Sequence, residues 1–212
     1  FLDIQNTVAQ AREIHDQVRY VEDGLIITQN GKISWFGEWE AGQQHIPENT
    51  QIQHYPEQLI VPGFIDTHIH FPQTEMVGAY GEQLLEWLNT YTFPTEMQFA
   101  DKNYADKIAQ FFVHELLKNG TTTALVFCTV HPQSVDALFE AAEQHQMRLI
   151  AGKVMMDRHA PDELTDTAEN AYHDSKVLIE KWHGKGRNLY AITPRCAPTS
   201  TPEQLARAGQ LK

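Results

Sequence analysis

The run Val61-Pro62-Gly63-Phe64-Ile65-Asp66-Thr67-His68-Ile69-His70 decides how this chain folds. An apolar stretch over residues 59–65 passes through a Pro-Gly entry and ends in two histidines one residue apart. Alternate side chains of a strand share a face, so His68 and His70 emerge on one side with their ring nitrogens close enough to hold one cation. Zinc accepts neutral imidazole at about 2.0–2.1 Å, and a catalytic zinc takes three protein ligands and leaves one position for water. A strand that is apolar on both faces reads as buried and parallel, with the histidines at its carboxyl end, where α/β folds place their sites. Two surface or hydrogen-bonded histidines at a strand end are the plainer alternative.

Working outward, residues 122–127, 147–156 and 189–192 are further short apolar runs that predict buried strands. Between them lie helical stripes. Ile108, Phe111, Phe112 and Leu116 form one, ended by Gly120. Val135, Leu138, Phe139 and Ala142 form a second, and Ala171, Tyr172, Leu178, Ile179 and Trp182 a third. Thr201-Pro202-Glu203-Gln204 predicts another helix start, with an N-cap, a proline at the first position and a capping-box partner. Repeated strand then helix calls for a parallel sheet, either open and doubly wound or closed into a barrel. An eight-stranded barrel needs about 250 residues, so these strands are expected to be the first four of one. The chain also opens on Phe1, and it is expected to be an excerpt of a longer protein. Before residue 60, the strand-like runs 24–28 and 32–36 meet at Asn30-Gly31, a hairpin signal because both positions accept positive φ. The expected organisation is a β-rich segment over 1–60, with little core of its own, followed by barrel sequence over 61–212.

Composition narrows the function. Of 212 residues, 42% are hydrophobic and 21% charged, enough for a packed core. A net charge of −12 argues against nucleic acid or an anionic membrane surface as partner, while leaving a neutral small molecule unaffected. Cys128 and Cys196 are too few and too far apart for a zinc ribbon or a disulfide framework and suit a reducing cytosol. Residues 1–8 lack a basic stretch leading into an apolar core, and no apolar run approaches the ~18 residues of a membrane span. Dinucleotide, Walker, His-Glu-x-x-His and Gly-x-Ser-x-Gly motifs are absent, as is the His-x-Glu and Pro-Cys-x-x-Cys signature of cytidine deaminases.

The segment Pro62-Gly-Phe-Ile-Asp-Thr-His68-Ile-His70 resembles the first-strand signature of the amidohydrolase superfamily, whose members use a distorted (β/α)8 barrel and one or two divalent metals. Within it, His70-Phe-Pro-Gln73, the run Gly78-Ala-Tyr-Gly-Glu-Gln-Leu-Leu-Glu-Trp-Leu88 and Tyr91-Thr-Phe-Pro94 resemble the guanine deaminase family. So do Gly120-Thr-Thr-Thr123, Gly152-Lys-Val-Met-Met-Asp157 and Ile192-Thr-Pro-Arg195. The resemblance implies that His68 and His70 ligate a single zinc ion and that His70, Phe71, Pro72 and Gln73 line a purine site. It implies a contact from Arg195 to the purine carbonyl. Physically, an amide offers both hydrogen-bond polarities and a guanidinium is a permanent donor. A surface glutamine and an ordinary ion-pair arginine are the competing readings.

Trp87 is a candidate wall for a flat heterocycle, or a core residue spaced with Leu84 and Leu88. Cys196 stands where the family pattern carries a phenylalanine; it joins the candidate purine contacts, against a reading as a small buried apolar residue. The fourth strand ends in Thr193-Pro-Arg195 rather than the lysine of binuclear relatives, which leaves Lys153 a structural or peripheral role.

What the resemblance implies as activity is zinc-dependent hydrolysis of guanine to xanthine and ammonia, in the cytoplasm, by a protein that is a homodimer when complete. The family's general acid and remaining metal ligands lie on later strands, so no catalytic residue is assigned within 1–212. Two other readings stay open: a hydrolase of the same superfamily acting on a cyclic amide or another aminated heterocycle, and a non-catalytic metal-binding or scaffold module.

Overall fold

A computed structural model describes residues 2–4, 18–81 and 83–211. The expectation about a leader in residues 1–8, and part of the β reading of 1–60, fall largely outside them. The chain divides into two compact units, Phe1–Pro62 and Gly63–Lys212.

In the first unit β1 (Leu2–Ile4) pairs antiparallel with β2 (Val18–Tyr20). β3 (Gly24–Gln29) pairs antiparallel with β4 (Lys32–Glu38), followed by the short helix α1 (Trp39–Gly42). The hairpin turn takes the conformation its sequence asks for: Asn30 and Gly31 have φ of 52° and 72°, the pair of positive values a two-residue turn needs to follow strand twist. Few apolar side chains of this unit are buried, Val21 and Ile27 among them.

The second unit is α/β. β5 (Phe64–His70), β6 (Thr121–Phe127), β7 (Arg148–Gly152) and β9 (Leu189–Tyr190) form a four-stranded parallel sheet in chain order. Beyond its carboxyl edge β8 (Val154–Met155) and β10 (Thr193–Pro194) pair in parallel. The connections carry α2 (Leu84–Trp87), α3 (Phe93–Met97) and α4 (Lys102–Lys118) after β5, and α5 (Pro132–Gln144) after β6. They continue with α6 (Ala168–Trp182) after β8 and α7 (Pro202–Gly209) after β10.

The three long helices carry the three predicted apolar stripes, and α4 ends at Lys118, just before Gly120. Asp101 caps α4 by accepting from the Asn103 amide at 2.9 Å, and Gly120, with φ of 84°, turns the chain out of it. Ala124, Val126, Leu149 and Ala151 on one face of the sheet pack with Phe112, Val113, Leu138, Phe139 and Trp182 of the helices. At about 25 cal/mol per Å2 of apolar surface removed from water, this layer is the main stabilising element of the unit.

The expectation of strands buried on both faces needs correction. Leu125 and Phe127 of β6 and Ile150 of β7, on the face away from the helices, are only half-buried. β5 starts at Phe64 rather than at Leu59, and Phe64 and Ile65 are 59% and 67% exposed. Among the described residues it is an edge strand of the sheet, paired with β6 alone. The apolar run at 147–156 is also interrupted, at Lys153, because two chain segments meet there. A Cβ on Gly152 would lie 1.9 Å from the Ala191 carbonyl oxygen, so only glycine fits. The capping box on α7 is half formed. Thr201 Oγ1 accepts from the Gln204 amide at 3.2 Å, but the Gln204 side-chain amide is buried and unpartnered among the described residues. The Thr201 backbone amide donates instead to Asp157 Oδ1 at 2.8 Å.

Candidate active site

The carboxyl ends of the strands bring the candidate residues together. Between β5 and β6, Asp66 pairs with Ala124 and Ile69 with Val126, so Thr67 and His68 together face the single residue Leu125. Such a bulge re-aims side chains at a strand end. The Asp66 carboxylate holds the bulge by accepting from the His68 amide at 3.0 Å. His68 and His70 then turn toward each other, with ring centroids 5.2 Å apart and planes at 64°. Both rest on Phe127 at the end of β6, His70 stacked at 5.0 Å and His68 tilted at 5.2 Å.

The electrostatics favour a ligand. Burial, then the positive charge of Arg195, then His68, push His70 down from the ordinary histidine value to about 4. Its imidazole is therefore neutral at physiological pH and offers a lone pair. His70 Nδ1 is buried without a hydrogen-bond partner among the described residues. A divalent ion that takes nitrogen donors fits this pair. Among the described residues no third His, Cys, Asp or Glu joins it in a metal-sized group.

His68, His70, Gln73 and Trp87 line one open cleft of about 620 Å3, together with Phe111 and Glu115 of α4. Gln73 sits in the 3-10 turn Phe71–Met76 that follows β5. Trp87 is half-buried, its indole NH donating to the Ala79 carbonyl at 3.4 Å, while Leu84 is exposed, so the tryptophan is not a core residue with it. The Phe71 ring turns away from the cleft into the core, edge-on to Phe99 at 4.9 Å, and Pro72 is buried as well. Neither residue lines the cleft.

Arg195, just after β10, is anchored rather than free. Its Nη1 donates to Glu96 Oε2 at 2.5 Å, and its guanidinium lies 5.8 Å from the centroid of the Phe93 ring. Glu96 Oε1 accepts from the Gln73 amide nitrogen at 3.4 Å. Sequence reading passed over Glu96. The signal available was an acid one helical turn after Phe93 in a run otherwise matched to the family. Cys196 is exposed, contrary to the buried reading, with its sulfur 3.3 Å from Thr199 Oγ1.

Lys153 is structural and not peripheral. It is fully buried and ion-paired with Asp166, and its carbonyl accepts from Thr193 Oγ1 at 2.8 Å. Burial outweighs the lysine charge and holds the Asp166 carboxyl above its ordinary value.

A parallel sheet with paired imidazoles at its carboxyl edge is the arrangement of an α/β fold that carries its site at the strand ends. The amidohydrolase family model matches residues 59–212, and the chain belongs to that family. Among characterised relatives, the guanine deaminase of Escherichia coli K12 is 63% identical over 212 residues, all of this chain and 48% of that protein. The solved structure of E. coli guanine deaminase superposes with a TM-score of 0.93 at 62% identity, covering all of this chain and 49% of that one. The guanine deaminase of C. acetobutylicum, solved with guanine in its active site, superposes at 0.81 with 31% identity, covering 92% of this chain and 46% of that one. The chain thus spans about half the length of the relatives it matches. No helix among the described residues is long and apolar enough to cross a membrane.

Proposed function

We propose that this chain supplies the metal-binding and purine-binding half of a hydrolytic guanine deaminase, with residues 63–212 forming the first four β/α units of a (β/α)8 barrel. The barrel reading is supported by strands that advance in one direction across the sheet, where a doubly wound sheet reverses. It is supported too by a sheet face opposite the helices that is only half covered. The observation that carries the functional reading is the convergence of His68, His70, Gln73 and Trp87 on one cleft, with Arg195 tied to Gln73 through Glu96.

His68 and His70 would hold one zinc ion, which when bound supplies the Lewis acidity that makes water a nucleophile near neutral pH. In the reaction the water oxygen bonds to the guanine carbon that carries the exocyclic amine. One proton of the water goes to the adjacent ring nitrogen and the other to the amine, the carbon–nitrogen bond breaks, and ammonia leaves as the new carbonyl of xanthine forms. Trp87 presents an aromatic face to the flat ring, and Gln73 and Arg195 orient its polar edge. Delivery of the proton, and the other metal ligands, are assigned to parts of the protein outside these residues. A homodimer and a cytoplasmic location go with this reading on the strength of the family resemblance.

Substrate screening of the zinc-loaded full-length protein tests the proposal, with guanine, adenine, cytosine and dihydropyrimidines followed by ammonia release. Guanine is expected to dominate, and a preference for another heterocycle would replace the substrate while keeping the metal site.

A further inference from the structure

Glu96 is a buried carboxylate, 1% exposed, that the guanine reading does not yet use. It stands on α3, one helical turn after Phe93, and spends its two oxygens on the two side chains assigned to the purine. A buried ion pair adds little net stability over apolar packing of the same volume, so what this one fixes matters more than what it stabilises.

We infer that Glu96 sets the hydrogen-bonding polarity of the pocket and so selects purines with a carbonyl beside a ring N–H. A carboxylate facing a guanidinium only accepts, so the Gln73 amide must turn its NH2 group toward Oε1. That leaves the Gln73 carbonyl oxygen as a fixed acceptor for the cleft. Arg195, tied through Nη1, keeps its remaining N–H groups as fixed donors. One acceptor and one donor locked in place complement the guanine edge, where ring N–H and amine donors adjoin a carbonyl. They mismatch adenine, whose corresponding ring nitrogen accepts. Without Glu96 the amide is free to rotate and present either polarity, and the discrimination falls. Phe93 adds a second contact to the same guanidinium, 5.8 Å from its ring centroid.

Glu96 acts through Gln73 and Arg195 and is a positioning residue, and the inference rests on the purine reading of the site. The test is calorimetric binding to the full-length protein of hypoxanthine, which carries the carbonyl and the ring N–H beside it, and of unsubstituted purine, which lacks the carbonyl and has an acceptor nitrogen at that N–H position. Glu96→Gln is expected to weaken hypoxanthine roughly ten- to hundredfold and purine by less than about twofold. Glu96→Asp, which keeps the acceptor but shortens its reach, should fall between, and serves if the glutamine variant does not fold. Equal losses for both ligands, or none for hypoxanthine, would overturn the inference. A wild type that shows the contrast but leaves guanine intact overturns the substrate assignment alone. A wild type that binds neither ligand overturns both.

Discussion

β7 keeps an unbroken register with β6 from Arg148 to Gly152, and its Leu149 and Ala151 are fully buried. β5, on the other side of β6, slips by one residue at Thr67 and His68, and leaves Phe64 and Ile65 exposed. Both strands are parallel and both follow the same partner, yet β7 is built for packing and β5 for presentation. Regularity fills the helix-covered layer. Irregularity, held by Asp66 on the His68 amide, turns two imidazoles toward one another. The candidate metal ligands of this chain therefore sit where its sheet is least regular.

The contrast can be broken from both sides. His68→Ala in the full-length protein is expected to lower guanine turnover on the order of a thousandfold or more, since it removes a proposed metal ligand. The same change should move stability by less than about 0.5 kcal/mol, because His68 is exposed. Leu149→Ala should do the reverse. It empties a fully buried site and is expected to destabilise by about 2–5 kcal/mol in denaturant titration, leaving turnover at permissive temperature within a few-fold of wild type. A Leu149 variant that loses activity without losing stability would erase the distinction between the two strands.

Much of the packing strand and little of the presenting one could be read from the sequence. β6, α4, α5 and α6 follow from apolar periodicity because each packs one face against one neighbour. The direction of the Phe71 ring and the break at Lys153 depend on contacts with residues 28 or more positions away. Phe71 meets Phe99, and Lys153 meets Tyr190 and Thr193. Glu96 was silent for the same reason: its meaning comes from Arg195, 99 residues later. The His68 and His70 pair was legible because alternation needs only local geometry, although the bulge that orients it was not.

A smaller effect sharpens the comparison through pH. His70 is depressed to about 4 from a value near 6.5, so between those values the unfolded chain binds the proton and the folded chain does not. Its contribution to stability is present above pH 6.5 and lost as pH falls toward 4. In metal-free protein, His70→Gln is expected to flatten the acid decline in Tm over that window. A residual slope is expected from His131, depressed by burial and then by Lys153. An unchanged slope would mean that His70 is not held neutral by its surroundings. The smallest effect is assigned to Thr201→Ala, which removes the α7 cap far from the imidazoles. It should lower stability by about 1 kcal/mol and leave purine binding unchanged.

Anomalous diffraction at the zinc edge from crystals of the zinc-loaded full-length protein addresses the central claim directly. One peak at about 2.0–2.1 Å from a ring nitrogen of both His68 and His70 is the expected result. A peak that engages neither ring, or zinc bound elsewhere while the two imidazoles stay free, would contradict it.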